Sequence, residues 1–164
     1  MAARNNAIFQ SSEESYPQEL VLRRVFDAPR DLVWKVWTDP AHLGQWWGPK
    51  GFTNPRCEWD ARPGGTIHID MQAPDGVVYP MSGVFQEVVE RERLVFVSSA
   101  LDENGKSMFD VMNTVTLTEE RGKTALTLQA RVISVTERAP QHLKGMEMGW
   151  TQSFDRLAEY LARA

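Results

Sequence analysis

Two segments of the chain alternate strictly between apolar and polar residues, and this pattern constrains the fold more than any other. Ile67, Ile69 and Met71 alternate with polar residues in the first segment, and the same alternation runs from Leu126 to Val132 in the second. A period of two is typical of β-strands with one buried and one solvated face. The sequence therefore predicts an antiparallel sheet whose apolar face another element must cover.

Further apolar and β-branched segments are separated by turn sequences that contain glycine, the residue that best tolerates a positive φ. Pro29 favours the start of one short helix, which ends before Asp39, and a second follows over residues 41–46. We therefore predict an antiparallel sheet of seven strands, with two short helices after the first strand. The predicted strands are residues 20–26, 56–60, 66–72, 78–89, 93–100, 109–118 and 124–132.

The segment 137–162 is the one long enough to cover such a sheet. Its apolar residues recur at steps of three or four, as on one face of an amphipathic helix: Leu143, Met146, Trp150, Phe154, Leu157 and Leu161. We therefore predict an α+β domain over residues 19–164, in which the C-terminal helix closes an apolar pocket against a curved sheet. Residues 1–18 are polar and without a period, which predicts a flexible N-terminal arm.

Composition excludes several classes of function. The formal net charge is −4, and no basic run is interleaved with aromatic residues, so we expect no nucleic-acid partner. No stretch approaches the ~20 apolar residues that span a bilayer, so we expect no membrane partner. Cys57 is the only cysteine and no secretory signal is visible, which predicts a reducing, cytoplasmic location.

Several residues indicate where a ligand would bind. Six tryptophans are more than a chain of this size usually has, and such rings either fill a core or line a pocket. Gly145 and Gly149, within the predicted helix, indicate either close packing or a cavity beneath it. The predicted pocket-lining residues are Trp37, Trp46, Trp47, Ile69, Met71, Phe85, Phe96, Asn113, Leu128, Met146, Trp150 and Phe154.

Candidates for acid–base chemistry are few. His68 and Asp70 lie two residues apart and share a strand face, but the alternation predicts that this face is solvated. Glu147 adjoins the apolar stripe of the helix, where a solvated carboxylate is the simpler interpretation. No Gly-rich phosphate loop and no metal-ligand spacing occurs, so we predict neither a cofactor nor a metal.

The longest recognisable blocks are RVFDAPRDLVWKVWTDPAHLGQWWGPKGF, RPGG, PDGVVYPMSGVFQEVVERERLVF, GMEMGW and SFDRLAEYLA. Together they make the chain similar to the Activator of Hsp90 ATPase homologue 1-like family of the START-like, helix-grip superfamily. The resemblance runs from about Glu19 to Leu161. It implies a seven-stranded sheet wrapped around a long C-terminal helix, with an apolar ligand bound between them.

Three hypotheses about function follow. The first is a protein that binds a small hydrophobic or aromatic molecule for sequestration, sensing or a stress response. The second is a cyclase-, dehydratase- or hydrolase-like enzyme; the resemblance implies this because some relatives cyclise or dehydrate polyketides. The third is a protein-interaction module, either a homodimer or a chaperone-associated factor, which would expose an apolar patch instead of enclosing a cavity.

Overall fold

The computed structural model describes residues 19–135 and 145–164. The predicted N-terminal arm and residues 137–144 of the predicted long helix lie outside them. The elements in chain order are β1 (Glu19–Phe26), α1 (Arg30–Thr38), α2 (Pro40–Trp46), β2 (Thr53–Trp59), β3 (Thr66–Gln72), β4 (Val78–Val89), β5 (Arg93–Leu101), β6 (Ser107–Glu120), β7 (Lys123–Val135) and α3 (Met146–Arg163).

All seven strands form one antiparallel sheet in the order β1-β7-β6-β5-β4-β3-β2. Strands β2 to β7 are a meander, and β1 joins its far edge by pairing with β7. Together with the two short helices after β1 and the C-terminal helix, this arrangement confirms the α+β helix-grip fold. The inner face of the sheet carries the apolar positions of the alternating strands, including Ile69 and Leu128.

The two short helices begin where local chemistry favours it. Pro29 is the N-cap of α1, and its φ of −70° with an extended ψ of 154° directs the chain into the first turn. Asp39 is the N-cap of α2, and its carboxylate accepts a hydrogen bond of 2.9 Å from the backbone N–H of Ala41. Pro40 follows in the first turn, where its missing N–H is not needed.

The C-terminal helix α3 begins at Met146, with Gly145 as its N-cap at φ −88° and ψ 1°. The prediction that Gly145 lies inside the helix is therefore wrong, and the physical reason is that glycine is well tolerated as a non-helical cap. Gly149 does lie inside, in the first turns of α3. The buried face of α3 lies further along, at Phe154, Leu157 and Leu161.

The core consists of a large cluster and a small one. The large cluster fills the space between α1, α2, the C-terminal half of α3 and the sheet. Its largest fully buried side chains are Trp37, Trp46, Phe26, Phe85, Phe96 and Phe154. The small cluster is built on Leu20 and Ala130, near the start of α3. Among the described residues, no helix is both long and apolar enough to cross a membrane.

Candidate functional site

A cavity of about 370 Å³ lies between the first turns of α3 and the inner face of the sheet. This volume is near the lower end of the range for small-molecule sites, about 300–1,000 Å³. The described residues that line it are Trp47, Gly48, Pro49, Phe52, Met71, Tyr79, Pro80, Met81, Ser98, Ser99, Ala100, Leu101, Met108, Phe109, Val111, Asn113, Gly145, Met146, Gly149, Trp150 and Ser153.

Two tryptophans form the wall that separates this cavity from the core. The rings of Trp47 and Trp150 meet edge to face, with centroids 5.2 Å apart and an interplanar angle of 79°. Trp150 is also stacked on Trp37 at 6.4 Å, and Trp47 packs on Trp46 at 5.8 Å and Trp59 at 5.3 Å. Both indoles are thus supported from behind by rings of the core, which fixes this part of the wall.

The loop that follows α2 forms one lip of the cavity, and Arg156 of α3 holds it. The guanidinium Nη1 donates to the carbonyls of Trp47, Gly48 and Pro49 at 2.9, 3.0 and 3.0 Å, and Nη2 donates to that of Gln45 at 3.2 Å. Partial burial lowers the pKa of Arg156 from its ordinary value, with the nearby Glu159 carboxylate acting in the opposite direction. One side chain thus binds the end of α2 and the lip together.

Two further residues of α3 bind the same loop. Ser153 Oγ accepts a hydrogen bond of 3.1 Å from the backbone N–H of Gly48, and Gln152 Oε1 accepts one of 3.0 Å from that of Lys50. Gly48 has a φ of +99°, in the left-handed region that favours glycine. The position of the lip is therefore set by α3, and a movement of the helix would change the opening of the cavity.

The sheet side of the cavity carries a polar pair on its inner face. Asn113 of β6 is 1% exposed, and its Nδ2 donates to Ser98 Oγ at 2.9 Å and to the carbonyls of Phe96 and Val111 at 3.3 and 3.2 Å. Both Asn113 and Ser98 line the cavity. In the described part of the wall, no carboxylate, ammonium, guanidinium or imidazole accompanies them.

Behind this wall, on the outer face, Asp110 joins three strands. Its carboxylate accepts hydrogen bonds from the hydroxyls of Ser99 (2.5 Å), Ser107 (2.7 Å) and Ser134 (2.5 Å). Burial acts to raise the pKa of Asp110, but the hydrogen bonds from Ser134, Ser99 and Ser107 outweigh it and hold the pKa below its ordinary value. This carboxylate ties the ends of β5, β6 and β7 together next to the cavity.

A second, larger groove of about 700 Å³ lies between α1 and β2. Glu58, Asp60 and Glu90 lie along it beside Trp34. It is more open to solvent than the cavity under α3, and its described lining is more polar. The cavity under α3 is therefore the better candidate for a small-molecule site.

The structure places five of the twelve predicted lining residues at the cavity: Trp47, Met71, Asn113, Met146 and Trp150. The other seven pack in the core cluster behind the cavity wall, where each is at most 1% exposed: Trp37, Trp46, Ile69, Phe85, Phe96, Leu128 and Phe154.

The three residues weighed for acid–base chemistry lie away from the cavity. His68 Nε2 and Asp70 Oδ1 are 3.2 Å apart on the outer face of β3, and both side chains are about a quarter exposed, at 25% and 27%. Glu147 is exposed in the first turn of α3, where a carboxylate interacts favourably with the helix dipole. None of the three is among the residues that line the cavity.

The twelve predicted lining residues include Trp47 of the lip but leave out Gly48, Pro49 and Phe52 and the small-residue patch on β5. Gly48, Pro49 and Phe52 lie in or beside a loop, where no periodicity indicates a facing direction. Ser98 and Ala100 are small, although they occupy the same face of β5 as the bulky Phe96. A change from bulky to small side chains along one face is a signal in the sequence that could have located the cavity.

The fold, with an apolar cavity between the C-terminal helix and the sheet, is that of a START-like, helix-grip protein. The family model for Activator of Hsp90 ATPase homolog 1-like protein matches residues 27–162. The chain therefore belongs to the Activator of Hsp90 ATPase homolog 1-like family, as its sequence blocks predicted.

Solved structures of bacterial proteins have the same fold. A crystal structure from Nitrosomonas europaea is 31% identical, with a TM-score of 0.74 over 89% of this chain and 95% of that one. One from Chromobacterium violaceum is 28% identical, with a TM-score of 0.76 over 88% and 97%. DynU16, from the dynemicin biosynthetic locus, is 25% identical with a TM-score of 0.66, over 89% of this chain but 48% of DynU16. The search of curated proteins found no match.

Proposed function

We propose that this protein binds a small hydrophobic or aromatic molecule in the cavity under the first turns of α3. The observation that carries the proposal is the cavity itself, which is of ligand size and is walled mainly by apolar and aromatic side chains. Burial of apolar surface contributes about 2.5 kcal/mol per 100 Å², so a ligand needs no charge to bind there. Sequestration or sensing of such a molecule is the corresponding role.

The rigidity of the wall supports binding over simple core packing. Trp47 and Trp150 are fixed by neighbouring rings, and the lip is fixed by Arg156 and Ser153. A site whose walls are already in place loses little conformational entropy when a ligand enters. The same rigidity keeps the cavity from collapsing when no ligand is bound.

Gly149 gives the sharpest test, because it lines the cavity and has space beside it. A Cβ at this position would have Pro49 Cγ as its nearest neighbour, at 4.0 Å. We expect Gly149→Leu to fill part of the cavity and to weaken binding of apolar aromatic probes such as 2-methylnaphthalene at least tenfold. Tryptophan fluorescence and thermal shift would measure the binding, since Trp47 and Trp150 line the cavity.

Gly149→Ala is the matched control, because it adds one carbon and should leave probe affinity within about twofold. If a library of compact apolar probes produces neither a fluorescence change nor a thermal shift in the unmodified protein, the proposal is wrong. Equal weakening by the alanine and leucine variants would also contradict it, since the effect would then come from the helix and not from the filled volume.

A cyclase- or dehydratase-like activity is the second candidate, and the likeness to a protein of a biosynthetic locus favours it. In the described part of the wall, the groups that could hold or orient a proton include the hydroxyls of Tyr79, Ser98, Ser99 and Ser153 and the amide of Asn113. Incubation with a short poly-β-ketone, followed by mass spectrometry, tests it. Ring closure by aldol condensation would release one water per ring and lower the mass of the poly-β-ketone accordingly. An unchanged mass would mean that the protein does not catalyse this condensation, and binding would remain as the proposed function.

A further inference from the structure

The described cavity wall is apolar except at a few places, and Asn113 on the sheet side is the most deeply buried of its polar residues. Asn113 lies on the inner face of β6 between Val111 and Val115, opposite Phe96 on one side and Ala130 on the other. An apolar residue would fit such a position without the desolvation that an amide requires, about 1–3 kcal/mol when its partners are imperfect. The cavity that Asn113 borders would account for the presence of an amide at this position.

The hydrogen bonds of this pair determine what it presents to a ligand. The Nδ2 hydrogens of Asn113 are directed to Ser98 Oγ and to the carbonyls of Phe96 and Val111. Because Nδ2 is engaged in this way, Oδ1 is the group of the amide that, with respect to the described residues, remains to accept a hydrogen bond. Ser98 Oγ accepts from Asn113, so its own O–H is the group that remains to donate.

From this geometry we infer that the cavity selects a neutral aromatic molecule carrying one hydroxyl or amide group, which binds to Asn113 and Ser98. A hydroxyl donates its proton to Asn113 Oδ1 and accepts one from Ser98 Oγ, so it satisfies both groups at once. The aromatic part lies against Trp47 and Trp150. This inference rests on the proposed function, since it specifies the class of ligand for the same cavity.

Charge and volume limit the ligand further. The described residues of the cavity wall carry no charge that could pair with an ionised ligand. Because burial of an unpaired charge is strongly unfavourable, the ligand should be neutral. The volume of about 370 Å³ equals that of roughly a dozen water molecules at ~30 Å³ each. A compact molecule of one or two rings fits that space, whereas a long acyl chain does not.

The test compares two probes of the same shape, 2-naphthol and 2-methylnaphthalene, by isothermal titration calorimetry. The hydroxyl of the first occupies the place of the methyl group of the second, so the ratio of their dissociation constants isolates the polar contact. We expect Asn113→Leu and Ser98→Ala each to reduce the advantage of 2-naphthol about five- to tenfold, while the affinity for 2-methylnaphthalene stays the same or increases.

Thr114→Val is the matched control, because Thr114 neighbours Asn113 in β6 but does not line the cavity. It should leave both dissociation constants unchanged. Ser98→Ala removes a single oxygen, so it keeps the test open if Asn113→Leu fails to fold.

The outcomes separate the inference from the proposed function. If both probes bind and the ratio is the same in all variants, the inference is wrong while the proposed function stands. If both probes weaken equally in Ser98→Ala, the pair acts on the shape of the cavity and not on the hydroxyl, which also overturns the inference. If the unmodified protein binds neither probe nor any other member of the compact aromatic library, both proposals fail.

Discussion

The two halves of α3 contact the same sheet in different ways. The C-terminal half packs Phe154, Leu157 and Leu161 into the core, and these residues are at most 6% exposed. The N-terminal half presents Gly149 and Met146 to a cavity of about 370 Å³. Packing fixes the C-terminal half, whereas hydrogen bonds to Gln152 and Ser153 and the ring contacts of Trp150 fix the N-terminal half. The packed core and the proposed binding cavity therefore lie at opposite ends of one helix.

The largest expected effect tests the packed half. Leu157 is 0% exposed, so Leu157→Ala should lower the free energy of unfolding by about 2–5 kcal/mol, since it removes buried methyl groups and leaves a void. Chemical denaturation measures this change. Met146→Ala is the control in the other half: Met146 borders a space that already exists, so its loss should stay below about 1 kcal/mol. Equal losses would contradict the distinction between the halves.

The next effect tests the hydrogen bonds that hold the lip. Arg156→Met should lower the free energy of unfolding by about 2 kcal/mol, because four carbonyls lose a charged donor. Hydrogen exchange should also become faster at the backbone amides of Gly48 and Lys50, which donate to α3. Arg131→Met, at an exposed site on β7, is the control and should change neither quantity. Unchanged exchange in Arg156→Met would show that Ser153 and Gln152 suffice.

The third prediction compares Gly149, which lies beside empty space, with Gly83, which lies beside backbone. Their substitution by alanine should change the free energy of unfolding in opposite directions, by less than the changes above. Gly149→Ala should raise the free energy of unfolding by up to about 1 kcal/mol, because alanine favours a helix and its Cβ has room. Gly83→Ala in β4 should lower it, since that Cβ would lie 2.2 Å from the carbonyl oxygen of Val97. Thermal denaturation of both variants checks the signs. A loss in both would mean that the space beside Gly149 is smaller than the structure shows.

The smallest expected effect is on the pH dependence of stability, and it comes from Asp110 at the cavity end of the sheet. The folded pKa of Asp110 lies below its ordinary value, so its contribution to stability is complete above the unfolded pKa of about 4 and is lost as pH falls through the folded pKa. Asp110→Asn should remove this contribution, roughly 0.5 kcal/mol for a partly buried carboxylate that water still screens. Denaturation at pH 7 and pH 3 should show a smaller difference in the variant. An unchanged pH dependence would contradict the role of the three serine hydroxyls.

The fold was readable from the sequence because its signals are local and repeat. Strands β3 and β4 have the predicted bounds, since alternation and glycine turns delimit them. Strand β6 was predicted as 109–118 but runs over Ser107–Glu120, because its ends are held by backbone pairing that side-chain type does not reveal.

The site was only partly readable. Alternation shows that Phe96 and Ser98 share a face of β5. It does not show that Phe96 is packed in the core whereas Ser98 borders the cavity. That boundary depends on which residues of α3 lie opposite, and this is a matter of tertiary packing. Gly149 gave a usable signal on the helix, and the small side chains at Ser98 and Ala100 gave an equivalent one on the sheet.

The contact between Trp47 and its four neighbouring indoles has an optical consequence. Ring centroids of Trp37, Trp46, Trp59 and Trp150 lie between 5.2 and 6.4 Å from that of Trp47. At such separations the electronic transitions of the rings couple, so the five absorb as an exciton-coupled group with its own circular dichroism. Because two members of this group line the cavity, a colourless molecule that enters it perturbs the spectrum of all five.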